Sequence, residues 1–476
     1  MSKPWLSAEA QLQKLDAELE LELDLAAATI TGAEPILPAR YPLASSAAAV
    51  LAAVGLAVAR VWEQRGGSAQ RISVDTRHAG ALMRGFYDMA LDGEVMPADP
   101  THQLPLARIY RAADGRWLQL YGVMEPLDAL TLGVLDATND SASLTRAVAR
   151  RPALEWEHAL TAVGAPAAML RSREEWQAHP QGRLLAAEPL VRLERVGDAP
   201  PRPRLPGATR PLSDLRVLDL TRVVAGPVCG RTLAEHGAEV LALTGKDLAW
   251  IRRAMIDTAV GKRSALVDLK RPDGLEQVRA LVRQADVFCQ GARPGRLHDC
   301  GLGLDDLVAE RPGLIYVSID GWGQRGPWRD RAGFEALAHA ATGITAEHAG
   351  DGPPRPIPAL PGDHLTGYLA ALGVLTALSR QYATGGSWHV HVALARTVTW
   401  LQEHGSGLDP AAAIDLSVAA TADLRVPLPG GFGTAFQLRP APELSLTPPR
   451  WDRGAAMPGV DPAEFAQRDP VRALAG

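Results

Sequence analysis

Between Leu215 and Ile319 the chain alternates runs suited to buried strands with segments of helical spacing, and this alternation narrows the fold more than any other feature. LRVLDL (Leu215 to Leu220) has the leucine and β-branched character of a buried strand. The segment around VCGRTLAEHG has helical spacing that stops at Gly237, and AEVLAL (Ala238 to Leu243) is a second strand. SALVDL, a helix around LEQVRALVRQ, ADVFCQ and LIYVSI continue the order, which calls for a parallel sheet wrapped by helices. Residues 212 to 322 therefore read as a doubly wound, Rossmann-like α/β unit. Ligands of such sheets sit beyond the carboxyl ends of the strands, so chemistry is expected in the loops after Leu220, Leu243, Gln290 and Ile319. The first of these, TRVVAGP, lacks the GxGxxG pattern, which argues against a nicotinamide dehydrogenase.

Proline density from Ala199 to Pro211 forbids helix and central strand, and marks a boundary. On either side lies a faint repeat. LAAVGLAVARVWEQRGGSAQRISVDTRHA from Leu51 resembles LAALGVLTALSRQYATGGSWHVHVALART from Leu369: an alanine-rich helix, a Gly-Gly turn and an alternating strand. Two unrelated helices of Ala/Leu composition would look similar. The copies differ just upstream, where Asp363 of PGDHLTG aligns with Ser45 of LASSAAA, so only the second copy carries a candidate nucleophile.

The balance of the chain excludes several classes. A formal net charge of -5 gives no basic field for nucleic acid. Three cysteines, Cys229, Cys289 and Cys300, form no CxxC pair and suggest reduced thiols without a metal cluster. The N-terminus is acidic and helix-forming rather than a signal peptide, and apolar runs such as Ala47 to Ala59 are short for a bilayer, so a cytoplasmic protein without membrane association is expected.

Several motifs occur in order: LSDLRVLDLTRVVAGPVCGRTLAEHGAEV, GKRSALVDLK, ADVFCQGARPG, GLGLDDL, SIDGWGQRGPW and PGDHLTG. Together they resemble the large domain of the family III CoA-transferases, the CaiB/BaiF group that includes formyl-CoA transferase, carnitine CoA-transferase and α-methylacyl-CoA racemase. LARIYRAADGRWLQL and LEWEHALTAVGAPAAMLRSREEWQAHP resemble that family's small domain, which here precedes the large one in the chain. The resemblance implies an α/β fold with a doubly wound large domain and a smaller α+β domain encoded N-terminally. It divides the chain into an N-terminal helical segment (1–40), a degenerate half with the small domain (41–200), a proline-rich linker (201–211), an active large domain (212–404) and a Gly/Pro/Ala-rich C-terminal segment (405–476).

By the same resemblance Asp363 occupies the nucleophile position, and the substrates are an acyl-CoA and a carboxylic acid, with no metal. A carboxylate suits this task, since its attack on a thioester divides one acyl transfer into easier steps. Read without the family, Asp363 is a helix N-cap. Gly362 and Gly367 are either turn glycines or places where backbone approaches the ligand and stabilises an oxyanion. Thr366 is a second cap or a partner of the carboxylate, and His364 is expected to be solvated. The resemblance assigns CoA contacts to Arg222, Val224, Ala225, Lys262, Arg263, Gln290 and Arg293. Thr244 replaces a common acid, and Ala259 falls where an asparagine usually precedes GKRS. Trp322, Trp328 and Phe334 are acyl-pocket or core residues, and LPGGFGTA resembles a mobile glycine loop or is an ordinary one.

A racemase would need a histidine and an aspartate as a base pair; the corresponding element reads Gly333-Phe334-Glu335, which leaves Glu335 as a candidate base. A lyase or dehydratase on the same fold and a non-catalytic CoA-binding subunit are the other readings. Known relatives are interlocked dimers, so a monomer imitating two protomers, or a homodimer, is expected.

Overall fold

The computed structural model describes residues 5–97, 104–122, 124–204, 207–246, 248, 250–350 and 352–466. In chain order the first half supplies β1 (Ala28–Thr31), β2 (Ile72–Asp75), β3 (Ala90–Leu91), β4 (Glu94–Val95), β5 (Ile109–Arg111), β6 (Trp117–Leu120), β7 (Ala167–Met169) and β8 (Arg192–Gly197). The second half supplies β9 (Arg216–Leu220), β10 (Glu239–Thr244), β11 (Lys262–Leu266), β12 (Val287–Gln290), β13 (Ile315–Asp320) and β14 (Ser387–Ala393). The C-terminal segment adds β15 (Arg425–Gly430), β16 (Gly433–Leu438) and β17 (Glu443–Leu444).

The largest sheet has the order β11-β10-β9-β12-β13-β14-β8. Its first six strands are parallel and β8 runs antiparallel to β14. The expected doubly wound sheet is therefore present. Chain direction reverses its spread between β9 and β12, which makes the carboxyl ends of these two strands the switch-point crevice. At the far edge Asp461 covers β11: its N–H donates to Ser264 O at 2.8 Å and its carboxylate accepts from Ser264 N at 2.8 Å. A covered edge is closed to pairing with another chain.

The helix Pro361–Thr384 is buried along most of its length and runs between the helices Leu43–Gln64 and Ala225–Glu235. Close approach needs small residues. A Cβ on Gly367 would lie 2.4 Å from the carbonyl oxygen of Ala225, and one on Gly373 would lie 2.4 Å from Val390 Cγ1. Leu43–Gln64 is longer than the apolar run seen in the sequence and is the one helix among the described residues long and apolar enough to cross a membrane, yet 94% of its apolar window is buried inside the protein. It is a core helix.

The repeat has a structural counterpart. Helix Leu43–Gln64 is followed by Gly66-Gly67, β2 and helix Thr76–Leu82; helix Pro361–Thr384 is followed by Gly385-Gly386, β14 and helix Leu394–Glu403. β2 lies between parallel β1 and antiparallel β17, just as β14 lies between parallel β13 and antiparallel β8. The antiparallel strands are exchanged: β8 follows the first half but completes the sheet of the second, and β17 follows the second but completes that of the first. Neither half closes its own sheet.

The small-domain strands form a second antiparallel sheet, with β5 and β6 paired across Asp114-Gly115 and β7 beside β6. The proline-rich stretch is strapped to the large sheet: Arg202 N donates to Gln381 O at 2.9 Å, and its guanidinium meets Asp286 at 2.9 Å. The glycine run LPGGFGTA is a paired hairpin of β15 and β16, pinned by Gly431 N donating to Ala455 O at 2.8 Å. Phe432 at its tip meets Trp250 edge-on, and the run does not line the cavity that Asp363 faces.

Replacing Gly367 by alanine should force the helix at Ala225 outward and cost about 1–3 kcal/mol. Urea unfolding of Gly367→Ala against wild type measures this, and an unchanged midpoint would mean that the helices are not in the described contact.

Candidate active site

Four strand ends build one cavity of about 440 Å³. Thr221 to Gly226 follow β9, Gly291 to Pro294 follow β12, Asp320 and Gly321 end β13, and Leu394 follows β14. Arg329, Arg331, Phe334 and Asp363 also lie on the wall on the second-half side, and Met124, Pro126 and Leu127 arrive from the small domain of the first half. The cavity needs both halves.

The loop after β9 is tightly made. Asp219 on β9 accepts from Thr221 N at 3.0 Å, which fixes the first wall residue. Asp219 is itself held by Lys262, whose Nζ donates to Asp219 Oδ2 at 2.8 Å and to Pro227 O at 2.6 Å with both side chains 2% exposed. Gly230 leaves room for this pair, since a Cβ there would lie 2.8 Å from Asp219 Oδ2. Val223 has φ 71°, a left-handed conformation that a β-branched residue adopts only under strain, and such strain concentrates at functional loops.

Asp363 is half-buried in the first turn of helix Pro361–Thr384, where backbone N–H groups lack partners within the helix. Buried Glu335 supplies them. Its Oε1 accepts from Gly362 N at 3.2 Å and its Oε2 from Asp363 N at 2.9 Å, while His339 Nε2 lies 3.2 Å from Oε1. Burial first, and the Glu335 charge second, raise the Asp363 carboxyl well above the usual carboxylate range. Two carboxyls thus share one helix end, with one fixed as the cap and the other facing the cavity.

Helix Pro361–Thr384 is anchored behind Asp363 by a buried network. His364 has no solvent exposure: Nδ1 lies 2.8 Å from Leu360 O and Nε2 lies 3.2 Å from Asp257 Oδ2. Asp257 accepts from Arg231 Nη1 at 2.6 Å, and Arg231 Nη2 donates to Tyr368 Oη at 3.0 Å. Burial opposes the charge on Asp257, but Arg231 and His364 outweigh it and hold the carboxyl near a pKa of about 2. The expectation of a solvated His364 is overturned, because the first helical turn is covered by the 252–258 helix.

The other candidates divide by position. Arg222, Val224, Ala225 and Arg293 line the cavity, and burial lowers both arginines from their usual range. Lys262 lines a smaller adjoining space of about 70 Å³ with Thr244, Trp250 and Arg222, but its ammonium is committed to Asp219. Arg263 points to the opposite sheet face, where it meets Glu239 at 3.4 Å and Asp461 at 3.7 Å; neighbouring strand residues alternate faces, so Lys262 and Arg263 cannot serve one ligand together. Gln290 shapes the loop after β12 by accepting from Ala292 N at 2.7 Å and donating to Ser318 Oγ at 3.1 Å.

Three expected supporting residues are otherwise engaged. The Gly362 amide is taken by Glu335, so it is not open to an oxyanion. Gly367 faces Ala225 and Val228 in the helix contact. Thr366 donates to Thr397 Oγ1 at 2.9 Å, and is neither a cap nor a partner of Asp363. Glu335, with both oxygens on helix amides, is a cap and not a free base. Trp322 and Trp328 belong to a buried cluster with Trp176, whereas Phe334 lines the cavity and stacks on Tyr121 at 4.2 Å. Sequence reasoning missed Asp320, whose carboxylate accepts from His391 Nε2 at 2.8 Å, and Arg331. Asp320 opens the loop after Ile319 that the strand pattern marks, whereas Arg331 sits in the charged run Arg329 to Arg331, which looks like surface.

A family model described as CoA-transferase family III matches residues 16–202 and 212–412. The chain belongs to the CoA-transferase family III. Among similar proteins is a succinyl-CoA–D-citramalate CoA-transferase of Chloroflexus aurantiacus, 37% identical over 41% of this chain and 52% of that protein. An acyl-CoA transferase of Gibberella moniliformis is 30% identical over 76% of this chain and 70% of its own length. The crystal structure of a CAIB/BAIF family protein from Brucella suis is 31% identical with a TM-score of 0.38, covering 40% of this chain and 55% of that one. The chain spans about half the length of the Chloroflexus relative.

Two substitutions test the geometry of this cavity. Lys262→Met should destabilise the fold by about 3–5 kcal/mol by leaving Asp219 charged and buried; a loss under about 1 kcal/mol in urea unfolding would release Lys262 for a ligand. Asp363→Asn bears on proton linkage. A carboxyl raised on folding binds its proton more tightly in the native state, so stability is lost as pH rises from the unfolded carboxylate range through the raised value. The asparagine variant should match wild type near pH 4 and be the more stable at pH 8. No advantage at pH 8 would mean that Asp363 ionises normally.

Proposed function

We propose that the protein moves CoA from an acyl-CoA thioester to a carboxylic acid, with Asp363 as the nucleophile. The observation that carries this reading is the carboxyl at the start of a buried helix, facing a cavity at the switch point whose walls bear Arg222 and Arg293. Arginines on two strand ends suit the phosphates of CoA. Thr221, Arg222 and Val223 also border the adjoining smaller space, which extends the site along the sheet toward Thr244 and Trp250.

The ionised Asp363 attacks the thioester carbonyl; the carbon–sulfur bond breaks, CoA thiolate leaves, and a mixed anhydride remains. The thiolate then attacks the Asp363 carbonyl, releasing the first carboxylate and leaving an aspartyl-CoA thioester. The acceptor carboxylate attacks that thioester to form a second anhydride with release of thiolate. Attack of the thiolate on the new acyl carbonyl frees Asp363 and yields the product thioester. Since the resting carboxyl holds its proton tightly, the first step should speed up as pH rises.

The comparison of the halves supports one working site per chain. Glu34 caps the first-half helix much as Glu335 caps the second: its Oε1 accepts from Ser45 N at 2.8 Å. Yet Ser45, which stands in the place of Asp363, is 3% exposed and carries no carboxylate. With both interlocking halves in one chain, the functional unit is a monomer or a homodimer of such chains.

Intact mass spectrometry after incubation with a panel of acyl-CoA thioesters, with hydroxylamine or borohydride trapping, tests the reading. One modification per chain at Asp363, absent from Asp363→Ala, is expected. Bound CoA without any adduct across the panel would overturn covalent transfer.

A further inference from the structure

We propose that Arg331, with the buried Glu157–Arg171 pair behind it, is a receptor for the free carboxylate of a short dicarboxylic acyl group. This rests on the transferase reading and adds the substrate class to it.

The local charges do not balance. Arg171 grips Glu157 with two bonds of 2.8 Å, from Nη1 to Oε2 and from Nη2 to Oε1, and Met169 N donates to Oε2 at 2.7 Å. Arg331 Nη1 donates to the same carboxylate at 3.1 Å. One anion therefore answers two guanidiniums, at 1% exposure for Glu157 and 5% for Arg171. Both guanidiniums also lie on the ring of Trp328, with Cζ at 4.9 Å for Arg171 and 4.1 Å for Arg331. The excess positive charge reaches the cavity through Arg331, the member of this group that lines it. A partly desolvated guanidinium with surplus charge is a strong partner for a planar carboxylate.

Position along the chain separates this charge from the cofactor arginines. Arg222 and Arg293 follow β9 and β12, whereas Arg331 sits on the loop that leads in four residues to Glu335, the cap of the Asp363 helix. That loop is fixed: Trp322 Nε1 donates to Ala332 O at 3.0 Å, and Gly333 lies against Gly321 so closely that a Cβ on either would come within 2.5 Å of the other's Cα. Four residues of chain span at most about 14 Å, so Arg331 lies within that reach of the Glu335 cap. In the proposed arrangement it stands on the acyl side of Asp363. The other acid on the wall, Asp320, is occupied by His391 and by Gly323 N. Donor and acceptor acyl groups take turns at Asp363 in the proposed cycle, so both would be dicarboxylic.

The test compares CoA release and exchange from succinyl-CoA, its terminal methyl ester and butyryl-CoA, which differ at the far carboxylate. Wild type should prefer succinyl-CoA in kcat/KM by at least about thirty-fold over either neutral thioester. Arg331→Gln should erase that preference by lowering kcat/KM for succinyl-CoA far more than for the methyl ester, and Arg331→Lys should restore part of it. Wild-type turnover of butyryl-CoA equal to that of succinyl-CoA overturns the receptor without reference to any variant. An equal loss with all three thioesters in Arg331→Gln overturns it as well. In either case an Asp363 adduct from any acyl-CoA leaves the transferase reading standing, whereas absence of an adduct across the wider panel removes both.

Discussion

Glu335 accepting the first free amides of helix Pro361–Thr384 is the contact on which the site depends. A helix buried on most sides cannot send its N-terminal amides to water, so a side chain must meet them. Using an anion for this purpose gains from the helix dipole. It also puts a negative charge beside Asp363, and burial with that charge drives the neighbouring carboxyl toward its protonated form. The cap that orders the helix therefore adds to the burial that raises the Asp363 carboxyl.

The same helix joins the two halves of the chain. It packs on the corresponding helix of the first half, and the strands that close the two sheets are exchanged between halves. This exchange brings Met124, Pro126 and Leu127 of the first half to a cavity whose other walls belong to the second. The first half thus has a structural use. It supplies a wall and an edge strand, and carries Ser45 where the second half carries Asp363.

Charge in the cavity is uneven for a related reason. Lys262 and Asp219 neutralise each other in the core and hold the loop after β9, as Asp257 and Arg231 do behind His364. These pairs are architectural. Arg222, Arg293 and Arg331 line the cavity together with Asp320, which is bonded to His391, and Asp363, whose carboxyl is raised above the usual carboxylate range.

Strand and helix periodicity in the sequence determined the parallel sheet, and motif order pointed to Asp363, because buried strands and short reactive loops leave local signatures. The Gly-Gly turns likewise marked both copies of the repeat. Residues whose roles depend on distant partners were not legible: Lys262 and Arg263 are adjacent in sequence but face opposite sides, Thr366 meets Thr397, and His364 is buried by a helix far back along the chain. Only the tertiary structure made Glu335 a cap, exchanged β8 for β17, and left Arg331 with half a counter-ion. Each of these turns on which groups are brought together after burial, and neither spacing nor composition along the chain encodes that.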